Sequence, residues 1–248
     1  MADTLEQARL RDSFIKEELP KIKIEGIDVD KVYVDKIIEK APERGKIIDI
    51  GTGNAHIPVK LINRNRNLEI FTIDLSKASV RIAKENCSFS DKIHVLRADG
   101  HNLPFRDSVF DEVIVRLAPH SIKEAYRVLK EGRCYIHRAC GIYNCWKEIH
   151  EIFGERAMPY ATAEWWKTSE GRLERYEMRG FKIVYEMSFL VKKYYTMDQI
   201  VMEMKFNPIV RDFDPKKDKH KLKELERKYK TKWGIRITGD PLILFARK

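Results

Sequence analysis

Cysteine is scarce in this chain: four residues, Cys87, Cys134, Cys140 and Cys145, among 248. Four thiols are too few to staple a domain of this size with disulfides. The one close spacing, C-x4-C, lacks the second Cys or His pair of a zinc site. A reducing, cytoplasmic setting with no bound metal is therefore expected. No apolar run approaches the roughly 18 residues of a membrane helix, and mean hydropathy is −0.47, so a helical membrane span is excluded. The opening MADTLEQARL is charged and mixed, unlike a signal peptide. Glutamine is rarer still, with Gln7 and Gln199 alone, while 35% of residues are charged, a bias met in thermophile proteins.

The charge is unevenly spread. The net charge is +10, and residues 216–232 carry eight Lys and one Arg against Asp218, Glu224 and Glu226, a local +6. Leu222, Leu225 and Tyr229 recur there at helical spacing, which describes a surface helix with one apolar stripe. A solvated helix face is favoured over an RNA-binding patch, although RNA stays open as a partner.

Helical patterns open the chain at Leu5–Leu19 and Asp30–Lys40, with Pro20 breaking between them. From Lys46 strands and helices alternate: KIIDI, then HIPVKLINR with Pro58 in its first turn; EIFTID, then SKASVRIAKENC capped by Ser76; KIHVLRAD; FDEVIVR, then SIKEAYRVLK capped by Ser121; and RCYIHRA. Such alternation predicts parallel strands joined by right-handed crossovers, hence a doubly wound, mostly parallel α/β sheet with its ligand at the carboxyl ends of the strands. A helix near Ala161–Arg179, a strand FKIVYEMSFLV and a closing strand ITGDPLILFA follow. The expected organisation over 1–248 is one domain: a helical N-terminal cover (1–40), a core (41–195 and 234–248), and a basic helical insert (196–233) with helices Met197–Lys205 and Lys216–Lys230.

The stretch KIIDIGTGNAHIP sets a carboxylate and two glycines at the end of a buried strand. Gly51 and Gly53 permit a tight turn and close approach of a ligand to the backbone. A dinucleotide site would have a third glycine where His56 stands, and Asp49 at the mouth of the turn would repel a pyrophosphate. Asp74 closes the second strand, where a carboxylate can accept both hydroxyls of a ribose. Asp99 closes the third, placed for an exocyclic adenine amine. Three carboxylates at three successive strand ends suit a cationic adenosine ligand free of phosphate, which describes S-adenosylmethionine. The competing explanation is that all three are turn residues or helix caps.

These segments resemble the class I S-adenosylmethionine-dependent methyltransferases, in the broad group that includes the ubiquinone/menaquinone-type small-molecule enzymes. IIDIGTGNA is similar to the family's first motif, FTIDLS to its second-strand acid, and ADGHNLPFRDSVFDEVIV to its most specific block; together they span about residues 30–140. The resemblance implies a seven-stranded sheet with the last strand antiparallel, and S-adenosylmethionine as cofactor with S-adenosylhomocysteine as product. It implies that Asp49, Gly51, Thr52 and Gly53 surround the methionine moiety, Asp74 and Leu75 the ribose, and Asp99, Gly100 and His101 the adenine, with Arg116 beside them. Ala55 stands where many members have a third glycine, and Glu131-Gly132-Arg133 replaces their Pro-Gly-Gly.

The acceptor is less legible. The loop RLAPHSI, where this family's acceptors meet the methyl group, holds His120, either a general base or a hydrogen-bonded residue before the Ser121 cap. Arg116 is either an anchor for an acceptor anion or half of a structural ion pair. Cys140 reads as a buried thiol rather than a nucleophile. Tyr143, Trp146, Phe153, Tyr160, Trp165 and Trp166 either wall an apolar acceptor or form core. The expected activity is methyl transfer to a small molecule or a protein side chain. A tRNA or rRNA methyltransferase and a non-catalytic cofactor-binding or partner subunit are the alternatives.

Overall fold

The computed structural model describes residues 22–158, 168–207 and 209–248. The expected helix Leu5–Leu19, the first part of Ala161–Arg179, and Tyr160, Trp165 and Trp166 lie outside the described residues.

Eleven strands and eight α-helices are found among the described residues. The strands are β1 (Lys23–Glu25), β2 (Lys46–Ile50), β3 (Glu69–Asp74), β4 (Ile93–Arg97), β5 (Phe110–Arg116), β6 (Leu129–Cys140), β7 (Ile183–Ser188), β8 (Val191–Tyr195), β9 (Lys230–Thr231), β10 (Gly234–Gly239) and β11 (Pro241–Arg247). The helices are α1 (Val29–Lys40), α2 (His56–Arg64), α3 (Lys77–Cys87), α4 (Ile122–Val128), α5 (Lys147–Phe153), α6 (Ser169–Glu177), α7 (Met197–Phe206) and α8 (Lys219–Tyr229).

The main sheet has seven strands in the order β4-β3-β2-β5-β6-β11-β7. Strands β2 to β6 pair in parallel, and β11 runs antiparallel to both β6 and β7. Strand β2 shows why the sheet is covered twice: Ile47 packs into one apolar cluster with Tyr33, Ile37 and Leu61, while Ile48 and Ile50 pack into another with Phe110, Val113 and Tyr135. Alternate residues point to opposite faces, so a strand apolar throughout needs helices on both sides. Ser76 and Ser121 cap α3 and α4, each side chain accepting an amide three residues on.

Two expected strands are each split. The pattern predicts one strand over Phe181–Val191, but β7 ends at Ser188 and β8 begins at Val191, in a different sheet. The closing ITGDPLILFA likewise divides at Asp240 into β10 and β11. Asp240 makes the break: its carboxylate accepts the amides of Tyr143 at 2.9 Å and Cys145 at 2.8 Å, fixing the turn after β6. A second, antiparallel sheet, β1-β8-β10-β9, results. It joins residues 23–25 of the N-terminal segment to strands on both sides of the expected boundaries at 195 and 234. A third apolar cluster lies where α5, α7 and α8 meet this sheet, and it contains Cys140, Trp146 and Phe153. These two aromatics are therefore core, not an acceptor wall.

Candidate active site

The turn after β2 is built by its glycines. Gly51 has φ +78° and Gly53 φ +59°, in the left-handed region open to glycine, and Ala55 holds φ 62° there as well. Ala55 thus keeps the conformation of the glycine that it replaces, with its methyl group buried. The amides of Gly51 and Thr52 both donate to the Ile73 carbonyl, at 2.9 and 3.0 Å. A Cβ at Gly51 would lie 2.1 Å from that of Ala118, so the loop after β5 sits directly on the turn. No described residue lies within 4 Å of the corresponding point at Gly53, which leaves its backbone open to a ligand among the described residues.

The three strand-end carboxylates occupy different environments. Asp74 accepts the Gly53 amide through Oδ2 and the Ser76 amide through Oδ1, both at 2.9 Å, locking the turn to the start of α3. A carboxylate offers about four acceptor positions, so two remain for a ligand. Leu75 is half-buried beside it, its carbonyl taken by Arg97 Nε at 3.0 Å. Asp99 is partly exposed and accepts the His101 amide at 2.9 Å, with His101 Nδ1 at 3.1 Å. Gly100 is buried against Ile50, and a Cβ there would come within 2.8 Å of the Ile50 side chain. Asp49 differs from expectation. It is only 2% exposed and lies beneath the turn, not at its mouth. Thr72 donates to it at 3.3 Å, and burial pushes its carboxyl up to about 6.

His120 is held at both nitrogens. Nδ1 donates to the Ala118 carbonyl at 2.9 Å, and Nε2 accepts from the Tyr135 hydroxyl at 2.5 Å. Burial lowers its pKa to about 4. It is neutral at neutral pH and its lone pair is occupied, an arrangement that positions the loop and leaves no free base. Arg116 forks onto Asp30, Nε to Oδ1 at 3.0 Å and Nη2 to Oδ2 at 2.8 Å, so it is half of an ion pair. Cys140 and Cys145 are buried with their sulfurs 2.6 Å apart; the contact with Cys145 and burial push the Cys140 thiol up, against a nucleophilic role.

Asp30 is the residue that sequence reasoning missed. Burial pushes its carboxyl up, but hydrogen bonding to His56 and the charge of Arg116 outweigh that and hold it well below the usual range. His56 Nε2 lies 3.5 Å from Asp30, and Arg138 Nε lies 3.7 Å from it. Asp30 therefore joins the glycine turn to the ends of β5 and β6. Tyr33, one turn further along α1, donates to the Val115 carbonyl at 2.9 Å. Asp30 and Arg116 lie 86 residues apart, and Arg138 is further still along the chain, so only folding brings them together.

The donor set fits an adenosine ligand: an open glycine backbone, a carboxylate at the end of β3 with spare acceptor positions, and a second carboxylate at the next strand end. No cluster of three metal-ligating side chains occurs among the described residues.

Comparison with known proteins agrees with this geometry. Residues 47–132 match a methyltransferase domain family. The demethylmenaquinone methyltransferase of Thermotoga maritima is 32% identical over 108 residues, 44% of this chain and 45% of that one. The malonyl-[acyl-carrier protein] O-methyltransferase of Geobacter sulfurreducens is 33% identical over 90 residues, 35% of this chain and 34% of that one. The chain thus spans less than half the length of either relative. In fold it is similar to a SAM-dependent methyltransferase from Methanosarcina mazei, with a TM-score of 0.55 and 17% identity over 86% of this chain and 96% of that one. Residues 47–132 are thus similar to a methyltransferase domain, and the strand order around them is that of a methyltransferase fold.

Proposed function

We propose that this chain transfers a methyl group from S-adenosylmethionine to a small molecule or to a side chain of another protein. The observation that carries the reading is the glycine turn locked by Asp74, with its backbone face open at Gly53. The cofactor supplies an electrophilic methyl group on a sulfonium. Asp74 has acceptor positions to spare for ribose hydroxyls, and Asp99 is partly exposed, within reach of an adenine amine. The turn, with its backbone open at Gly53, gives the methionine end an uncrowded seat.

Methyl transfer asks the protein chiefly to hold two partners close, aligned and dry. The loop after β5, packed on Gly51 and fastened through His120, Ala118 and Tyr135, does this holding. No proton need pass through His120. The two relatives are named for unlike acceptors, demethylmenaquinone and malonyl-[acyl-carrier protein]. The core therefore sets the chemistry and leaves the acceptor to surrounding elements.

The test is transfer of labelled methyl from the donor into cell extracts separated into small-molecule, protein and RNA fractions. Label is expected in one of the first two, and absent with Asp74→Ala. Label confined to ribonuclease-sensitive material would overturn the acceptor assignment in favour of tRNA or rRNA. A lack of label in every fraction, with cofactor bound, would favour the non-catalytic subunit.

A further inference from the structure

A cleft of about 380 Å³ opens between the start of α1, the ends of β5 and β6, and the second sheet. That volume lies within the range of small-molecule sites, about 300–1,000 Å³. Three cations line it, Arg116, Arg138 and Lys193, among apolar walls that include Ile24, Ile27 and Val191.

Their states differ. Arg116 is spent on Asp30. Asp28 is turned to cap α1, accepting the Lys31 amide at 2.9 Å. Arg138 is 6% exposed and faces the Asp30 charge at 3.7 Å, too far for a hydrogen bond, and its Nε and Nη1 are buried with no hydrogen-bond partner among the described residues. Lys193 forms no ion pair among the described residues. A buried guanidinium with idle donors is costly unless an anion completes it, and its planar fork suits a carboxylate or a phosphate.

We propose that this cleft is the acceptor site and that Arg138, with Lys193, holds an anionic group of an acceptor whose body is apolar. The inference rests on the methyltransferase reading above and adds the acceptor's chemical class. The methionine carboxylate is a poor candidate for the same place. The turn belongs to β2, and β6 is two strands away, about 10 Å at ordinary strand spacing. The apolar walls come from β1, the segment after it and β8, and no residue of the turn lines the cleft. Ile24 and Ile27 are each 55% exposed, so an apolar acceptor body would cover surface now left to water.

The test is calorimetric titration of the protein saturated with S-adenosylhomocysteine, using hexanoate in one arm and hexyl phosphate in the other. One of the two should bind, and the tighter arm identifies carboxylate or phosphate as the recognised group. Arg138→Met should weaken that binding at least about tenfold, the scale expected for loss of a charged, hydrogen-bonded contact. S-adenosylhomocysteine affinity should stay within about twofold of wild type, well under the tenfold that 1.4 kcal/mol represents. Lys193→Met, on a half-buried strand position, should weaken the anion while preserving the fold, and decides the matter if Arg138→Met does not fold. Absence of anion binding in wild type, or binding unaltered in the folded variants, would overturn the proposal. So would a tenfold loss of S-adenosylhomocysteine affinity in Arg138→Met, which would assign the guanidinium to the methionine carboxylate. If S-adenosylhomocysteine does not bind wild type, the methyltransferase reading fails instead, and the same anion titration on the free protein still tests the cleft.

Discussion

At the scale of single residues, Gly51 carries the heaviest constraint. It combines a left-handed backbone with a neighbour 2.1 Å from where a Cβ would stand. Gly51→Ala should cost about 3 kcal/mol through overpacking and backbone strain, and should lower Tm by roughly 6–12 °C in a chain of this size. A thermal scan showing an unchanged Tm would refute the packing described. Asp49 gives a prediction with a definite sign. Its folded pKa of about 6 stands above the ordinary 3.8. Between those values the folded chain keeps a proton that the unfolded chain has lost, so stability falls as pH rises through that window. Asp49→Asn removes the titration. Its stability relative to wild type should therefore rise from pH 4 to pH 7, by on the order of 2–3 kcal/mol. Urea midpoints at the two pH values measure it, and a constant difference would contradict the burial of the carboxylate. The sequence exposed Asp74 and Asp99 because each acid ends a periodic segment. It hid the burial of Asp49, because the depth of a residue under a turn depends on the neighbouring strand that covers it.

At the scale of elements, β2 to β5 and helices α1 to α3 were legible, since each joins a periodic apolar pattern to a cap, a glycine or an acid at its end. The HIPVKLINR helix and the EIFTID and FDEVIVR strands appear with the expected bounds. The break at residues 189–190 was not legible, because apolar character runs on through Phe189 and Leu190. Gly239-Asp240-Pro241 carries a breaker signal that a single closing strand ignores, and what ends each strand is a change of sheet. Asp240 marks one change through its bonds to Tyr143 and Cys145. Asp240→Ala should cost about 2–3 kcal/mol by leaving two amides unmet, with Asp240→Asn recovering part. Denaturant unfolding of both variants checks this, and equal, negligible losses would show that the turn does not need the carboxylate.

At the scale of the whole molecule, the net charge of +10 first suggests nucleic acid. Leu222, Leu225 and Tyr229 of α8 are buried, and Lys221, Lys228 and Lys230 pair with Glu224, Glu151 and Glu226. The basic segment is thus a packed helix with a partly neutralised outer face. A stem–loop RNA should bind no tighter than the nonspecific range of about 10⁻⁴–10⁻⁶ M at physiological salt. Replacing Lys216, Lys217, Lys219 and Lys223 by Gln should leave S-adenosylhomocysteine binding unchanged. Nanomolar RNA affinity that those changes abolish would restore the RNA reading. The second sheet was invisible in the sequence for a related reason: its four strands come from three distant segments, and no local pattern announces their pairing.

The central claim is that the turn held by Asp74 receives an adenosine ligand free of phosphate. The most direct measurement is the heat of binding of S-adenosylmethionine, S-adenosylhomocysteine and NADH to wild type and to Asp74→Ala. The account predicts micromolar binding of the first two to wild type, at least about a tenfold loss in the variant, and no binding of NADH. Binding of NADH, or failure of both sulfur ligands to bind a folded wild-type chain, would contradict it.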